Sequence, residues 1–128
     1  MKLHHINIKA PMDLLEQEKS FFCEVLGLRE GDRPDFAGKG YWLYAGEEAI
    51  VHLSESEAHF RNEKQGFFDH VAFQTTNLDK MIQTLEEREI DYSTVYLPEM
   101  NMTQIFFKAP SNTGIEVNFE NETIQSSL

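Results

Sequence analysis

The sequence predicts an α+β fold built from two tandem repeats of one unit: strand, helix, then three strands. Three observations predict it. A histidine stands in a short, alternating apolar run twice, in Leu3-His4-His5-Ile6-Asn7-Ile8 and again in Phe68-Asp69-His70-Val71-Ala72-Phe73. Each run is followed by a stretch with helical spacing and then by extended, aromatic-rich segments. Finally, polar residues of one chemistry recur in matching places. His52, in Ile50-Val51-His52-Leu53, follows His5 by 47 residues, and Glu116, in Gly114-Ile115-Glu116-Val117, follows His70 by 46. A unit of about sixty residues repeated twice is too short a series for a solenoid, so the two units must pair face to face.

Taken in order, residues 4–9 alternate as a strand, with His5, Asn7 and Lys9 on one side and His4, Ile6 and Ile8 on the other. Pro11 suits a first helical turn, where Asp13 and Glu16 meet the positive end of the helix dipole. Leu14, Leu15, Phe21, Phe22, Val25 and Leu26 then mark an apolar face, interrupted only by Glu18, and Gly27 stops the helix. A short strand is expected over 28–30, a loop rich in turn formers over 31–40, and strands over 41–44 and 49–54. Module 1 thus runs from about 3 to 54, and a polar linker from about 55 to 66. In module 2, about 67–119, the histidine strand covers 67–75 and Thr76 or Asn77 caps a helix carrying Leu78, Met81, Ile82 and Leu85. Strands follow over about 91–97, 102–109 and 114–119, and the polar tail, 120–128, is expected to fray.

Composition narrows the function. The 128 residues suffice for one core, with 41% hydrophobic and 26% charged residues. A net charge of −11 repels DNA and acidic membrane surfaces, so neither nucleic acid nor membrane is expected as a partner. No apolar run reaches the roughly twenty residues that span a bilayer, and the first residues lack a signal-peptide core, so a cytoplasmic location is expected. The single cysteine, Cys23, excludes an internal disulfide and reads as a small packing residue. Asn121-Glu122-Thr123 matches a glycosylation acceptor that a cytoplasmic chain would not use.

Residues two apart in a strand share a face, so polar side chains gather beside the repeated histidines: His5 with Asn7, His52 with Ser54, His70 with Ala72 and Gln74, Glu116 with Asn118. A sheet with one wet face gives the same alternation. The residue types carry more. Three imidazoles and one carboxylate at repeat-related positions suit a divalent first-row metal, and a carboxylate between Ile115 and Val117 is costly to bury unpaired. His5, His52, His70 and Glu116 are therefore the candidate metal ligands. His4 and His59 read as ordinary surface or packing residues.

These motifs, together with Phe21-Phe22-Cys23-Glu24-Val25-Leu26-Gly27-Leu28, resemble the vicinal oxygen chelate superfamily over about residues 3–119. That superfamily includes glyoxalase I, fosfomycin-resistance proteins, extradiol dioxygenases and methylmalonyl-CoA epimerase. The resemblance implies two βαβββ modules forming a curled mixed sheet around a metal-site cavity. It also implies one divalent metal (Zn, Ni, Mn, Co or Fe(II)) held by His5, His52, His70 and Glu116. There are two departures. His52 stands where glyoxalase I often has a second glutamate, and Ala109-Pro110-Ser111-Asn112-Thr113-Gly114 replaces the usual Asp-Pro-Asp-Gly turn.

By that resemblance the chain is expected to be a metal-dependent lyase or isomerase of the glyoxalase type. It would stabilise an enediolate-type intermediate on a small oxygenated substrate, with Glu116 as the catalytic base and a thiol cosubstrate left open. Trp42, Tyr44 and Phe106 are expected either to wall an apolar pocket or to fill the core, and the loop 31–40 to be a lid or a solvated connector. A homodimer is expected. Two alternatives stand beside this reading. In one, His5, His70 and Glu116 form the two-histidine, one-carboxylate triad of an iron(II) dioxygenase and His52 acts beside it. The other is a metal-free protein that sequesters a ligand, as bleomycin-resistance relatives do.

Overall fold

A computed structural model describes residues 1–35, 38–57 and 67–124. The chain divides into two compact units, Met1–Lys64 and Gln65–Leu128, each with its own four-stranded mixed sheet. In the first, β1 (Ile6–Ala10), α1 (Met12–Glu24), β2 (Arg29–Gly31), β3 (Gly40–Ala45) and β4 (Glu48–Glu55) form a sheet ordered β1-β4-β3-β2. In the second, β5 (His70–Gln74), α2 (Leu78–Glu87), β6 (Ser93–Leu97), β7 (Met102–Lys108) and β8 (Gly114–Glu120) form a sheet ordered β5-β8-β7-β6. Each unit is the βαβββ module that the repeat predicts.

The helix in each module makes this topology possible. A strand followed by a helix crossover can lie parallel to another strand, whereas the later strands return through short hairpin turns and lie antiparallel. Thus β1 pairs in parallel with β4, and β5 with β8, while β3·β4, β2·β3, β7·β8 and β6·β7 are antiparallel. In module 1, α1 turns Leu15, Phe21 and Phe22 inward and packs on the sheet, where Leu43, Val51 and Leu53 are fully buried. Glu18 is also fully buried on the inner side of α1. In module 2, α2 buries Leu78, Met81 and Leu85, and the sheet buries Ile105, Ile115, Val117 and Phe119.

Strand boundaries differ from the sequence expectation where pairing runs out. β1 begins at Ile6, so His4 and His5 precede the strand. β5 begins at His70, because its partner β8 begins at Gly114, the residue paired with His70. Phe67 and Phe68 are left exposed before it. Helix α1 stops at Glu24, two residues before the end of its apolar pattern, and Gly27 takes φ +76° just beyond. At the start of α2, Asn77 sits in the left-handed region and its side chain accepts a hydrogen bond from the Lys80 amide. Cys23 is half-buried, and burial pushes its thiol pKa up, as a packing residue requires. The expected linker lies outside the described residues over 58–66, and His59 with it.

Of the expected polar tail, the residues up to 124 are described, and Asn121 and Glu122 are bonded to the rest of module 2. The Asn121 amide donates to the Asn101 carbonyl (2.7 Å), and the Thr103 hydroxyl donates to the Glu122 carbonyl (2.6 Å). The Glu122 carboxylate accepts from the amides of Asn77 and Leu78 at 2.9 and 2.8 Å. A carboxylate from the chain's end thereby satisfies open amides at the start of α2 and sits at the positive end of its dipole. Glu122→Ala removes both bonds and is expected to cost about 1–2 kcal/mol. Thermal denaturation followed by circular dichroism checks this: the midpoint falls by several degrees, and an unchanged midpoint refutes the anchoring role.

Candidate functional site

Each module brings its two predicted ligands together in the same way. In module 1 the parallel register sets Asn7 opposite His52, and His5, two residues before Asn7, falls on the same face. The His5 and His52 rings stack at 3.8 Å between centroids and 13° between planes. On the other side Trp42, opposite His52 in β3, stacks on it at 4.1 Å and 10°. His52 is thus a ring between two rings, and it is buried. Its Nε2 lies 3.1 Å from the Ala49 carbonyl, which can only accept, so Nε2 carries the proton and Nδ1 is the free acceptor. Burial first, and the neighbouring His5 second, push the His52 pKa below its ordinary value. It is a neutral imidazole, the form a metal requires.

In module 2 the same register sets Ala72 opposite Glu116, and His70 stands two residues before Ala72. Here the contact is charged rather than stacked. His70 Nε2 lies 3.1 Å from Glu116 Oε1, and Nδ1 lies 2.7 Å from Asp69 Oδ2. The Asp69 hydrogen bond raises the His70 pKa against the opposing effect of burial, with the Glu116 charge adding to it. Glu116 is only 8% exposed, and its second oxygen, Oε2, accepts from the Gln104 amide at 3.2 Å. Phe106, opposite Glu116 in β7, meets the His70 ring edge-on at 6.3 Å. A cleft of about 350 Å³ opens beside His70, lined by Asp69, Tyr92, Ser93, Phe106 and Lys108 among others.

The structure therefore brings the four predicted residues together two by two. Among the described residues of either module, no three His, Cys, Asp or Glu side chains are arranged to hold a metal ion. Trp42 and Phe106 occupy equivalent positions, each opposite its module's last-strand candidate and on the same face of the sheet. Sequence reasoning missed three contacts. His4, taken as an ordinary residue, holds a ring-to-ring hydrogen bond to His5 at 2.8 Å between their Nδ1 atoms. Asp69 was visible only as the neighbour of His70. Gln104 lies in a strand whose pairing partner the sequence does not name.

The opposite shifts of the two histidines give opposite pH dependences in the metal-free protein. His52, with its folded pKa lowered, contributes stability that is full above the unfolded imidazole value of about 6.5 and is lost as the pH falls. His70, with its folded pKa raised, contributes stability that is full below that value and is lost as the pH rises through its folded pKa. Histidine titration by NMR is expected to give a lower midpoint for His52 than for His70. His52→Gln is expected to flatten the loss of thermal stability on the acid side. Coincident midpoints for the two rings would contradict this electrostatic picture.

Comparison with known proteins agrees with the fold. The sequence model of the Glyoxalase/Bleomycin resistance protein/Dioxygenase superfamily matches residues 2–117. No curated protein sequence matches the chain. Among solved structures, a glyoxalase family protein from Bacillus anthracis is 20% identical, with 94% of this chain and 95% of that one covered and a TM-score of 0.74. A lactoylglutathione lyase from Agrobacterium tumefaciens is 17% identical, with 92% of each chain covered and a TM-score of 0.65. A variant of the fosfomycin resistance protein FosX from Listeria monocytogenes, complexed with Mn(II) and dihydroxypropylphosphonic acid, is 13% identical. It covers 93% of this chain and 92% of its own, with a TM-score of 0.71. At these identities the structural likeness speaks to the fold alone. With two βαβββ modules in place and the match running nearly end to end, the chain belongs to the Glyoxalase/Bleomycin resistance protein/Dioxygenase superfamily.

Proposed function

We propose that His5, His52, His70 and Glu116 hold one divalent metal ion, and that the chain is a lyase or isomerase of the glyoxalase type. The observation that carries this is the shared register: in both modules a residue at the start of the first strand (His5 just before β1, His70 opening β5) and a mid-strand residue of the last meet on one face. The donor chemistry fits. His52 is neutral with Nδ1 free, and the Asp69 bond at His70 Nδ1 directs Nε2 toward Glu116. Glu116, nearly buried, offers its carboxylate oxygen Oε1 on the same side as the His70 ring. A Mn(II)-bearing neighbour of the same fold supports a divalent ion, without choosing among Zn, Ni, Mn, Co and Fe(II).

When bound, the metal supplies Lewis acidity toward substrate oxygens, worth several kcal/mol. The rest falls to the chain. The cleft beside His70 is at the lower end of the 300–1,000 Å³ range of small-molecule sites, which fits a small oxygenated substrate. Phe106 gives that cleft an apolar wall, and Lys108 a cationic rim. On a substrate with a hydroxyl carbon beside a carbonyl carbon, Glu116 would take the proton from the hydroxyl-bearing carbon and return it to the carbonyl carbon while the hydroxyl proton passes to the carbonyl oxygen, so the isomerisation balances with no other reactant. The reading extends to a homodimer in the cytoplasm acting on a small molecule. For the membrane, the relevant fact is that no described helix is long and apolar enough to cross one.

One observation favours the iron(II) dioxygenase reading. His52 is clamped between His5 and Trp42 and tied to the Ala49 carbonyl, a setting that suits an acid or base beside a His5–His70–Glu116 triad. Metal analysis of purified protein and of His52→Ala separates the cases. The proposal expects about one divalent ion per chain, and at least a tenfold loss of affinity in His52→Ala. Metal held unchanged by His52→Ala favours the triad. Protein that binds no divalent ion near neutral pH rules out both, and tight binding of an apolar ligand by that protein supports sequestration.

A further inference from the structure

The face of module 2 that carries Glu116 has an order of its own. The register stacks three rows across the sheet: His70–Gly114–Lys108, then Ala72–Glu116–Phe106–Ser93, then Gln74–Asn118–Gln104. Glu116 therefore lies between a row with an imidazole and an ammonium and a row in which three amides are followed by Val95. Gln104 is diagonal to it, one strand over and two residues along, within reach on an antiparallel sheet. Its amide group meets Glu116 Oε2 at 3.2 Å. A carboxylate at that place only accepts, so the Gln104 nitrogen is the donor and its orientation is fixed.

Module 1 lacks this device. The position equivalent to Gln104, two residues before Trp42 as Gln104 is two before Phe106, is Gly40. A Cβ at Gly40 would come within 2.1 Å of the Leu53 carbonyl oxygen, so no side chain fits there. His52 needs none, since rings on both sides and the Ala49 carbonyl hold it. A carboxylate, with two equivalent oxygens and a freely turning end, has no such restraint.

We infer that Gln104 is a positioning residue: by holding Oε2 it turns Glu116 so that Oε1 alone faces His70 and the metal position. The inference rests on the proposed metal site. It assigns to that site a residue outside the ligand set, and it makes Glu116 a one-oxygen donor whose other oxygen is held by the protein.

The test is titration of Co(II) into the full chain, followed by affinity and by the visible absorption of the bound ion. Gln104→Met keeps size but removes the donor; Gln104→Ala removes the side chain; Gln104→Lys keeps a donor at similar reach. The expected result is a chain folded at the titration temperature for all three, with thermal midpoints lowered by a few degrees at most, and a 10- to 100-fold loss of Co(II) affinity in the first two. Their Co(II) spectrum is also expected to change, as the carboxylate becomes free to bind through both oxygens, while Gln104→Lys stays within about threefold of the native chain. Should Gln104→Met fail to fold, Gln104→Ala and Gln104→Lys carry the comparison. Native affinity and spectrum in Gln104→Met or Gln104→Ala overturn the inference while leaving the metal site standing. A native chain that binds no Co(II) overturns the metal site and the inference together.

Discussion

The parallel pairing of the first and last strands of each module is the constraint on which the candidate site depends. A βαβββ unit closes its sheet by laying the last strand beside the first, β4 by β1 and β8 by β5. Parallel partners keep side chains on matching faces, so a residue at or just before the start of the first strand meets the middle of the last. His5 and His52 meet for that reason, and so do His70 and Glu116. Neither pair needs a special loop. The greasy faces of the same strands, Val51 and Leu53 or Ile115, Val117 and Phe119, fix which face is which, because a slip of one residue would bury the ligand row in the core.

One topology nevertheless holds its two pairs by different physics. In module 1 both members are imidazoles, and burial with the nearby His5 keeps His52 uncharged, so flat stacking with Trp42 is open to it. In module 2 the partner is a carboxylate. Stacking gives way to a chain of charge-assisted contacts from Asp69 through His70 to Glu116 and on to Gln104. The aromatic at the equivalent position changes to match. Trp42 lies flat on His52, whereas Phe106 presents its ring edge-on to His70.

Much of this was legible in the sequence, because periodicity reports which face a residue takes and repetition reports which residues correspond. The element order, the helix cap at Asn77 and the strand-middle places of His52 and Glu116 all follow from such local patterns. What the sequence could not convey was partnership across strands. Nothing near Gln104 in the chain mentions Glu116, and nothing near Trp42 mentions His52; only the register of the hairpins joins them. Strand starts were misjudged for the same reason. His5 and Phe68 continue an apolar run, but a strand begins where a partner begins, at Ile6 and at His70. The contacts of Glu122 were hidden in the same way, because the open amides of α2 that it binds lie far from it in the chain.

The site is also built so that the fold does not lean on a metal. Each of the four proposed ligands has a partner within its own module: His52 has the Ala49 carbonyl, His70 has Asp69 and Glu116, and Glu116 has Gln104. The fourth, His5, stacks on His52 and bonds to His4. The apolar cores under both sheets are complete without the ligand face, with Leu15, Phe22, Leu43 and Leu53 in one and Leu85, Ile105, Val117 and Phe119 in the other. A structural zinc site works the other way, since its ligands have no reason to converge until the ion arrives. Under the proposed metal site, a cation would instead displace contacts already made, above all the His70–Glu116 pair. That competition would weaken binding relative to a bare cluster of ligands, and a carboxylate parting from the ion would find His70 on one oxygen and Gln104 on the other.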